Sequence, residues 1–282
     1  MAIRRSLKSK KRLPVVDITQ LGKNGKFFVI AGPCVIEGTD FLLKTAKTIK
    51  AITDEFGIPL VFKSSYDKAN RTSGKGFRGP GIKKGLADLA MIKKKLGVPV
   101  LTDIHEIGEV KTASKVADVL QIPAFLSRQT SLLLEAAKHA KVVNVKKAQF
   151  MAPWETGNVV DKMRAEGQKN VWLTERGTVF GYNNLVVDFR GISEMKKTGC
   201  PVIFDGTHSV QQPAAKGTSS GGTREHVPDL VRAAVAVGVD GLFTEVHPNP
   251  PKAKSDAATQ ITFETFRQIL KESIAIRRAL KY

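Results

Sequence analysis

Long apolar runs are missing from this sequence. No stretch approaches the roughly 18 consecutive apolar residues of a membrane-spanning helix. The N-terminus is basic (Arg4, Arg5, Lys8, Lys10, Lys11, Arg12), but no apolar segment of signal-peptide length follows it, which argues against a secretory leader. Cysteine is scarce: Cys34 and Cys200 are the only two in 282 residues. Two thiols cannot build a disulfide framework, and they point to a reducing compartment, the cytoplasm. Neither a Walker-type phosphate loop nor a GxGxxG turn behind a strand is present, so P-loop and dinucleotide folds are not expected. Acidic residues are in deficit, with 26 Asp and Glu against 45 Lys and Arg and a formal net charge of +19. A field of that sign attracts either a nucleic-acid backbone or a small substrate carrying several negative charges. No nucleic-acid-binding module is recognisable and few aromatics interleave the basic residues, so no nucleic-acid partner is expected.

What is present is a rhythm. Hydrophobic residues make up 42% of the chain, enough for a sizeable core. Short β-rich apolar runs occur at Phe27–Ala31, Leu60–Phe62, Val98–Leu101, Val119–Ile122, Val142–Val145, Val171–Leu173, Val202–Phe204 and Gly241–Phe243. Between them lie amphipathic helical patterns. Leu42, Leu43, Ala46, Ile49 and Ile52 recur at helical spacing behind a candidate cap at Thr39 and Asp40, and Leu230–Val237 and Phe263–Leu280 read the same way. Eight strands alternating with helices predict an α/β fold, a closed (β/α)8 TIM barrel over residues 27–282. Residues 1–26 form a basic N-terminal extension, either flexible or plugging the barrel. Two segments break the pattern, 209–223 (SVQQPAAKGTSSGGT) and 247–260 (HPNPPKAKSDAATQ). Both follow late strands, where βα loops build the active face of a barrel, and they are expected to be mobile site loops.

The predicted strand ends are unusually charged: Lys63, Asp103 with His105, Arg128, Lys146 with Lys147, Glu175 with Arg176, Asp205 with His208, and Glu245 with His247. A parallel strand is buried along its length, so such residues belong at its C-terminal end, and in a barrel those ends converge on one mouth. Lys63, Lys68, Arg71, Arg128, Lys146 and Arg176 supply the donors that phosphate and carboxylate recognition needs. Cys34, His208, Glu245 and Asp256 offer a thiolate, an imidazole and two carboxylates, a mixed donor set that suits Zn²⁺, Fe²⁺ or Mn²⁺ better than Mg²⁺ or Ca²⁺. On spacing alone this set is not unique. Cys34 reads equally as a small buried hydrophobe, His208 as a core or acid–base histidine, and His105, His139, His226 and His247 compete for the ligand role.

From about residue 27 onward the chain resembles the 3-deoxy-D-manno-octulosonate 8-phosphate synthase family. The matching segments are AGPCVIE (31–37), FKSSYDKANRTS (62–73), LTDIHE (101–106), QIPAFLSRQT (121–130), NVKKAQF (144–150), LTERG (173–177), FGYNNLVVDFR (180–190), FDGTHSVQ (204–211) and TEVHP (244–248). The related heptulosonate synthases carry a KPRTS-type segment where this chain has KANR, Lys68–Arg71. The resemblance implies an aldol-type condensation of phosphoenolpyruvate with D-arabinose 5-phosphate and water. Its products would be 3-deoxy-D-manno-octulosonate 8-phosphate and inorganic phosphate, in lipopolysaccharide biosynthesis. It implies that Lys146 and Arg176, with Lys68 close by, hold phosphoenolpyruvate in a pocket lined by Gln121, Ala124 and Gln149. Lys63, Asn70 and Arg71, with Ser65 in addition, would contact arabinose 5-phosphate. Arg128 and Phe125 would reach a neighbour's site in a homotetramer. Cysteine in AGPCVIE and the SDA form of AKSDAATQ (253–260) match the metal-dependent class of the family. That implies Cys34, His208, Glu245 and Asp256 as ligands of a divalent metal, with His208 or Asp256 as candidate proton shuttles.

Overall fold

The computed structural model describes residues 16–71, 73–74, 76–215 and 220–282. Eight parallel strands close into a barrel: β1 Phe28–Gly32, β2 Leu60–Lys63, β3 Val100–Asp103, β4 Val119–Ile122, β5 Val142–Lys146, β6 Val171–Glu175, β7 Val202–Asp205 and β8 Gly241–Glu245. Each pairs with its sequence neighbours, and β8 returns to β1 with Phe28 opposite Gly241 and Gly32 opposite Glu245. Around it run α1 Thr39–Phe56, α2 Ile82–Leu96, α3 Ile107–Ala113, α4 Thr130–His139, α5 Thr156–Ala165, α6 Arg190–Lys196, α7 Val227–Val237 and α8 Phe263–Ala279. The chain is a (β/α)8 barrel. Among the described residues no helix is long and apolar enough to cross a membrane.

All eight apolar runs are strands, but most extend one or two residues further than the apolar pattern. Lys63, Asp103, Lys146, Glu175, Asp205 and Glu245 each end a strand. A polar side chain does not interrupt a parallel ladder; it only needs a polar place to point. The third strand also starts later than expected, at Val100 instead of Val98. Thr39 is the first residue of α1 and not its cap: Gly38 holds that position, and the Thr39 hydroxyl donates across to Asp88 of α2 at 2.8 Å.

Period-two alternation sorts the strand residues into two cores. Val29, Ala31, Leu120, Val143, Val145, Leu173 and Leu242 face outward and pack beneath the helices. Phe28, Ile30, Val61, Leu101, Val119, Val142, Trp172, Ile203 and Phe243 face inward and fill the N-terminal half of the barrel. Burying each of the larger of these side chains contributes about 1.5–3 kcal/mol. Ile18 and Leu21, from the segment before β1, join the inner core, and Asp17 caps the short turn Ile18–Gln20 by accepting from the Thr19 amide. The basic cluster from Arg4 to Arg12 lies outside the described residues.

Candidate active site

The same alternation that sends Trp172 and Val142 into the barrel floor sends their strand-mates two and four residues on into its mouth. Asn144 and Lys146 of β5, and Thr174 with Arg176 at the end of β6, follow this phase. Thr174 donates to Asn144 (2.7 Å), Asn144 to Gln121 (2.8 Å), and Gln121 to Asp103. This chain of hydrogen bonds, ending on the Asp103 carboxylate, crosses four strands and forms a polar layer above the apolar plug. Over it opens a cavity of about 560 Å³.

Lys68, Asn70 and Arg71 line it from the loop after β2, and Gln121, Ala124 and Phe125 from β4 and its loop. Lys146, Gln149, Arg176 and His208 follow from later strand ends, and Ala253–Ala258 close one side. Both irregular segments therefore contribute. Gln211, Pro213, Ala214 and Ser220 come from the first, whose residues 216–219 lie outside the described set.

Cations from several strand ends line the cavity. Lys146 is buried, forms an ion pair with Asp205, and its Nζ lies 3.2 Å from the centroid of the Phe243 ring. Burial lowers the Lys146 pKa to about 8, and the attraction of Asp205 only partly offsets that. Asp205 is held well below the carboxylate range: burial opposes its charge, but His208 and Lys146 outweigh it. Arg176 is 5% exposed. Its Nη2 donates to Gln211 at 3.1 Å, while Nη1 is buried with no hydrogen-bond partner among the described residues. Gln149 Oε1 is orphaned in the same way. Lys68 Nζ lies 3.8 Å from Asp103 and 4.0 Å from Glu245. The Arg71 guanidinium is clamped by the carbonyls of Phe77 (2.9 and 2.7 Å) and Lys254 (2.8 Å).

The acidic groups interleave with these cations: Glu245 pairs with Lys63 and lies near Lys68, and Asp205 pairs with Lys146. Donor atoms of Cys34, Glu245 and Asp256 lie within 4.8 Å of one another. His208 Nε2 is 3.7 Å from Glu245 Oε2 and 3.9 Å from Asp256 Oδ2. Cys34 Sγ is 3.0 Å from both Asp256 Oδ2 and Ser255 Oγ. Gln260 accepts from the Cys34 amide (3.3 Å) and donates to the Ser255 carbonyl (2.8 Å), fixing this loop on β1. Burial, then Asp256 and Glu245, push the Cys34 thiol up. Asp256 is held at about 2, since Lys68 and His208 overcome its burial. Its backbone sits at φ 44°, in the left-handed region that costs a non-glycine residue energy. Gly32 lets β1 and β2 approach here: a Cβ at that position would meet the Lys63 carbonyl oxygen at 1.8 Å.

Of the expected residues, Lys63 is engaged by protein partners, and Ser65 and Arg128 stand outside the cavity. Lys63 reaches the cavity, but its ammonium donates to Glu245 Oε1 (2.6 Å) and the Cys34 carbonyl (2.9 Å). Ser65 is fully buried behind the wall and donates to Asp103. Arg128 is exposed, 3.5 Å from Glu155, and does not line this cavity. Of the competing histidines only His105 joins His208 in the lining; His139 and His226 sit against Glu135 and Asp229, and His247 faces Glu37. Gln211 escaped the sequence reading. It accepts from Arg176 and donates to Asp256 Oδ1 (3.2 Å), tying Arg176 to Asp256. A neutral side chain in a small-residue loop carries no signal of that role.

A barrel whose strand ends collect cations and a mixed thiol–imidazole–carboxylate set belongs to the class of (β/α)8 enzymes that act on anionic substrates at the C-terminal face. The sequence profile of the DAHP synthetase I family matches residues 8–279, and the chain belongs to that family. Proteins called 2-dehydro-3-deoxyphosphooctonate aldolase are similar to it along most of its length. One from a Cyanothece species is 53% identical over 96% of this chain and 99% of its own. One from Syntrophotalea carbinolica is 51% identical over 95% and 97%, and one from Stenotrophomonas maltophilia 56% identical over 84% and 86%.

Proposed function

We propose that this chain acts as its relatives are named, as a 2-dehydro-3-deoxyphosphooctonate aldolase. It condenses phosphoenolpyruvate with D-arabinose 5-phosphate and water, giving 3-deoxy-D-manno-octulosonate 8-phosphate and inorganic phosphate. The observation that carries this is the identity of 51–56% to relatives of that name, over most of both chains. The family profile alone would admit a heptulosonate synthase; the KANR segment at Lys68–Arg71 favours the eight-carbon product.

In this reading C3 of phosphoenolpyruvate bonds to the aldehyde carbon, water adds at C2, and phosphate leaves with the bridging oxygen. Lys146 and Arg176 hold phosphoenolpyruvate, the unpartnered Arg176 Nη1 being a spare donor for it. Gln121, Ala124 and Gln149 line its pocket. Lys68 adds positive charge where charge accumulates on the reacting atoms. Asn70 and Arg71 hold arabinose 5-phosphate at the outer rim, and holding it by that end orients the aldehyde. Lys63, which reaches the cavity and holds Glu245, contacts arabinose 5-phosphate there, and Ser65 acts from behind through Asp103. His208 and Asp256 are the candidate proton shuttles, though an imidazole bound to a metal is a poor base. Arg128, outside this cavity, is assigned to a neighbour's cavity in a homotetramer, with Phe125, exposed at the rim of its own cavity, beside it, and the enzyme is assigned to the cytoplasm.

A divalent metal of the Zn, Fe or Mn type belongs to the proposal, held by Cys34, His208, Glu245 and Asp256. The fit rests on the donor set and on Glu245 Oε2, buried without a hydrogen-bond partner among the described residues and facing His208 Nε2. Such an ion would supply Lewis acidity towards a substrate oxygen.

The test is phosphate release from phosphoenolpyruvate, with arabinose 5-phosphate and with erythrose 4-phosphate, before and after chelation. Release that needs arabinose 5-phosphate is expected; equal or better release with erythrose 4-phosphate overturns the substrate. Release that survives complete metal removal overturns the metal part alone.

A further inference from the structure

Strand alternation places Lys147 and Glu175 on the outer side of β5 and β6, back to back with Lys146 and Arg176. Both are buried, at 1% and 2% exposure, and neither lines the cavity. A buried lysine is costly unless its ammonium is fully engaged. Here Lys147 Nζ lies 3.6 Å from Glu175 Oε1 and reaches the carbonyls of Ala148 (3.3 Å), Met151 (3.3 Å) and Gly177 (3.4 Å) and the hydroxyl of Thr178 (3.0 Å). The two carbonyls from the β5 loop flank Gln149. The two acceptors from the β6 loop follow Arg176 directly. Glu175 completes the arrangement from below by accepting from the amides of Arg176 (2.9 Å) and Gly177 (2.6 Å). Gly177 sits at φ 90°, a turn only glycine makes without strain, and it turns the chain away directly after Arg176. One ammonium thus joins the two loops that carry the orphaned Arg176 Nη1 and Gln149 Oε1.

We propose that Lys147 is a positioning residue for the phosphoenolpyruvate subsite, holding Arg176 and Gln149 at a fixed separation through the two loops it bridges. This rests on the reading that phosphoenolpyruvate binds at Arg176. Lys147 touches no substrate; its effect passes through backbone carbonyls. The consequence is selective, because Asn70 and Arg71 stand on a different loop that Lys147 does not contact.

The experiment compares steady-state kinetics of wild type, Lys147→Met and Thr178→Val, with folding checked by circular dichroism. Lys147→Met is expected to raise the KM for phosphoenolpyruvate about tenfold while the KM for arabinose 5-phosphate stays within about twofold. Thr178→Val keeps the ion pair and removes one partner, so it tests the same claim should Lys147→Met fail to fold; a rise of about two- to threefold in the same KM alone is expected. A folded variant with an unchanged phosphoenolpyruvate KM, or with both KM values raised equally, overturns the inference while wild-type turnover leaves the functional reading standing. Absence of wild-type turnover overturns both.

Discussion

Replacing Asp205 by asparagine separates two consequences of one carboxylate. Asp205 accepts from the amides of Thr207 (3.1 Å) and His208 (2.9 Å), from the Thr207 hydroxyl (3.0 Å), from Lys146, and lies 2.7 Å from His208 Nδ1. That last contact holds a proton on Nδ1 and leaves Nε2, which faces Glu245 and Asp256, as the nitrogen a metal would take. An asparagine keeps the amide contacts through its oxygen but turns an NH₂ to both Lys146 and His208. Removing one partner of a buried pair costs about 3–5 kcal/mol. Lys146, already lowered to about 8, can shed its proton and hold the loss near the lower figure. At about 2–4 °C per kcal/mol for a domain of this size, the melting temperature should fall by about 6–12 °C. The reversed tautomer turns an N–H towards the donor set, and metal affinity should fall by about 10–100-fold, the usual effect of losing a partner behind a ligating histidine. Differential scanning fluorimetry reads the first, chelator competition the second. A variant that melts with wild type and retains metal equally refutes the argument that Asp205 orients His208.

Cys34→Asn should weaken metal retention while leaving the barrel folded; full activity of the wild-type enzyme with no metal bound would remove Cys34 as a ligand on which catalysis depends. Glu109 is held at about 2, below its ordinary 4.5, because the His105 ring 3.7 Å away and hydrogen bonds from the His105 and Glu106 amides (2.8 and 3.3 Å) overcome its burial. Its folded pKa is the lower one, so its stabilisation is complete above pH 4.5 and is lost as pH falls towards 2. Urea melts of wild type and Glu109→Gln should therefore differ at pH 6 and converge at pH 2, and a constant gap contradicts the assignment. Trp172, 1% exposed with its ring 4.7 Å from Phe28, anchors the barrel floor, so Trp172→Ala should cost about 3–5 kcal/mol in denaturant unfolding. A loss under about 1 kcal/mol would mean that the inner core is not continuous.

The barrel was legible because its strands are buried on both faces and so read as unbroken apolar runs. Their ends were not, since Lys146 and Glu245 look like loop residues although the ladder carries them to the mouth. The charged candidates were legible for a related reason: a chain seldom places Lys63, Asp103, Arg176 and Asp205 after buried runs without a use for them. The choice of His208 among five histidines was beyond spacing, because Cys34 and Asp256 meet only through a fold that closes 222 positions. Neutral groups were the least visible. Thr174, Asn144 and Gln121 form a hydrogen-bonded layer, but each alone resembles any polar residue in a strand. One distinction was within reach. Carrying the inward phase of Val142 and Trp172 forward by twos selects Asn144 and Lys146 on one strand and Thr174 and Arg176 on the next, and leaves Lys147 and Glu175 outside. Two adjacent lysines with the same charge are thereby committed to different work, one facing substrate and the other holding the loops that face it, and strand phase alone separates them.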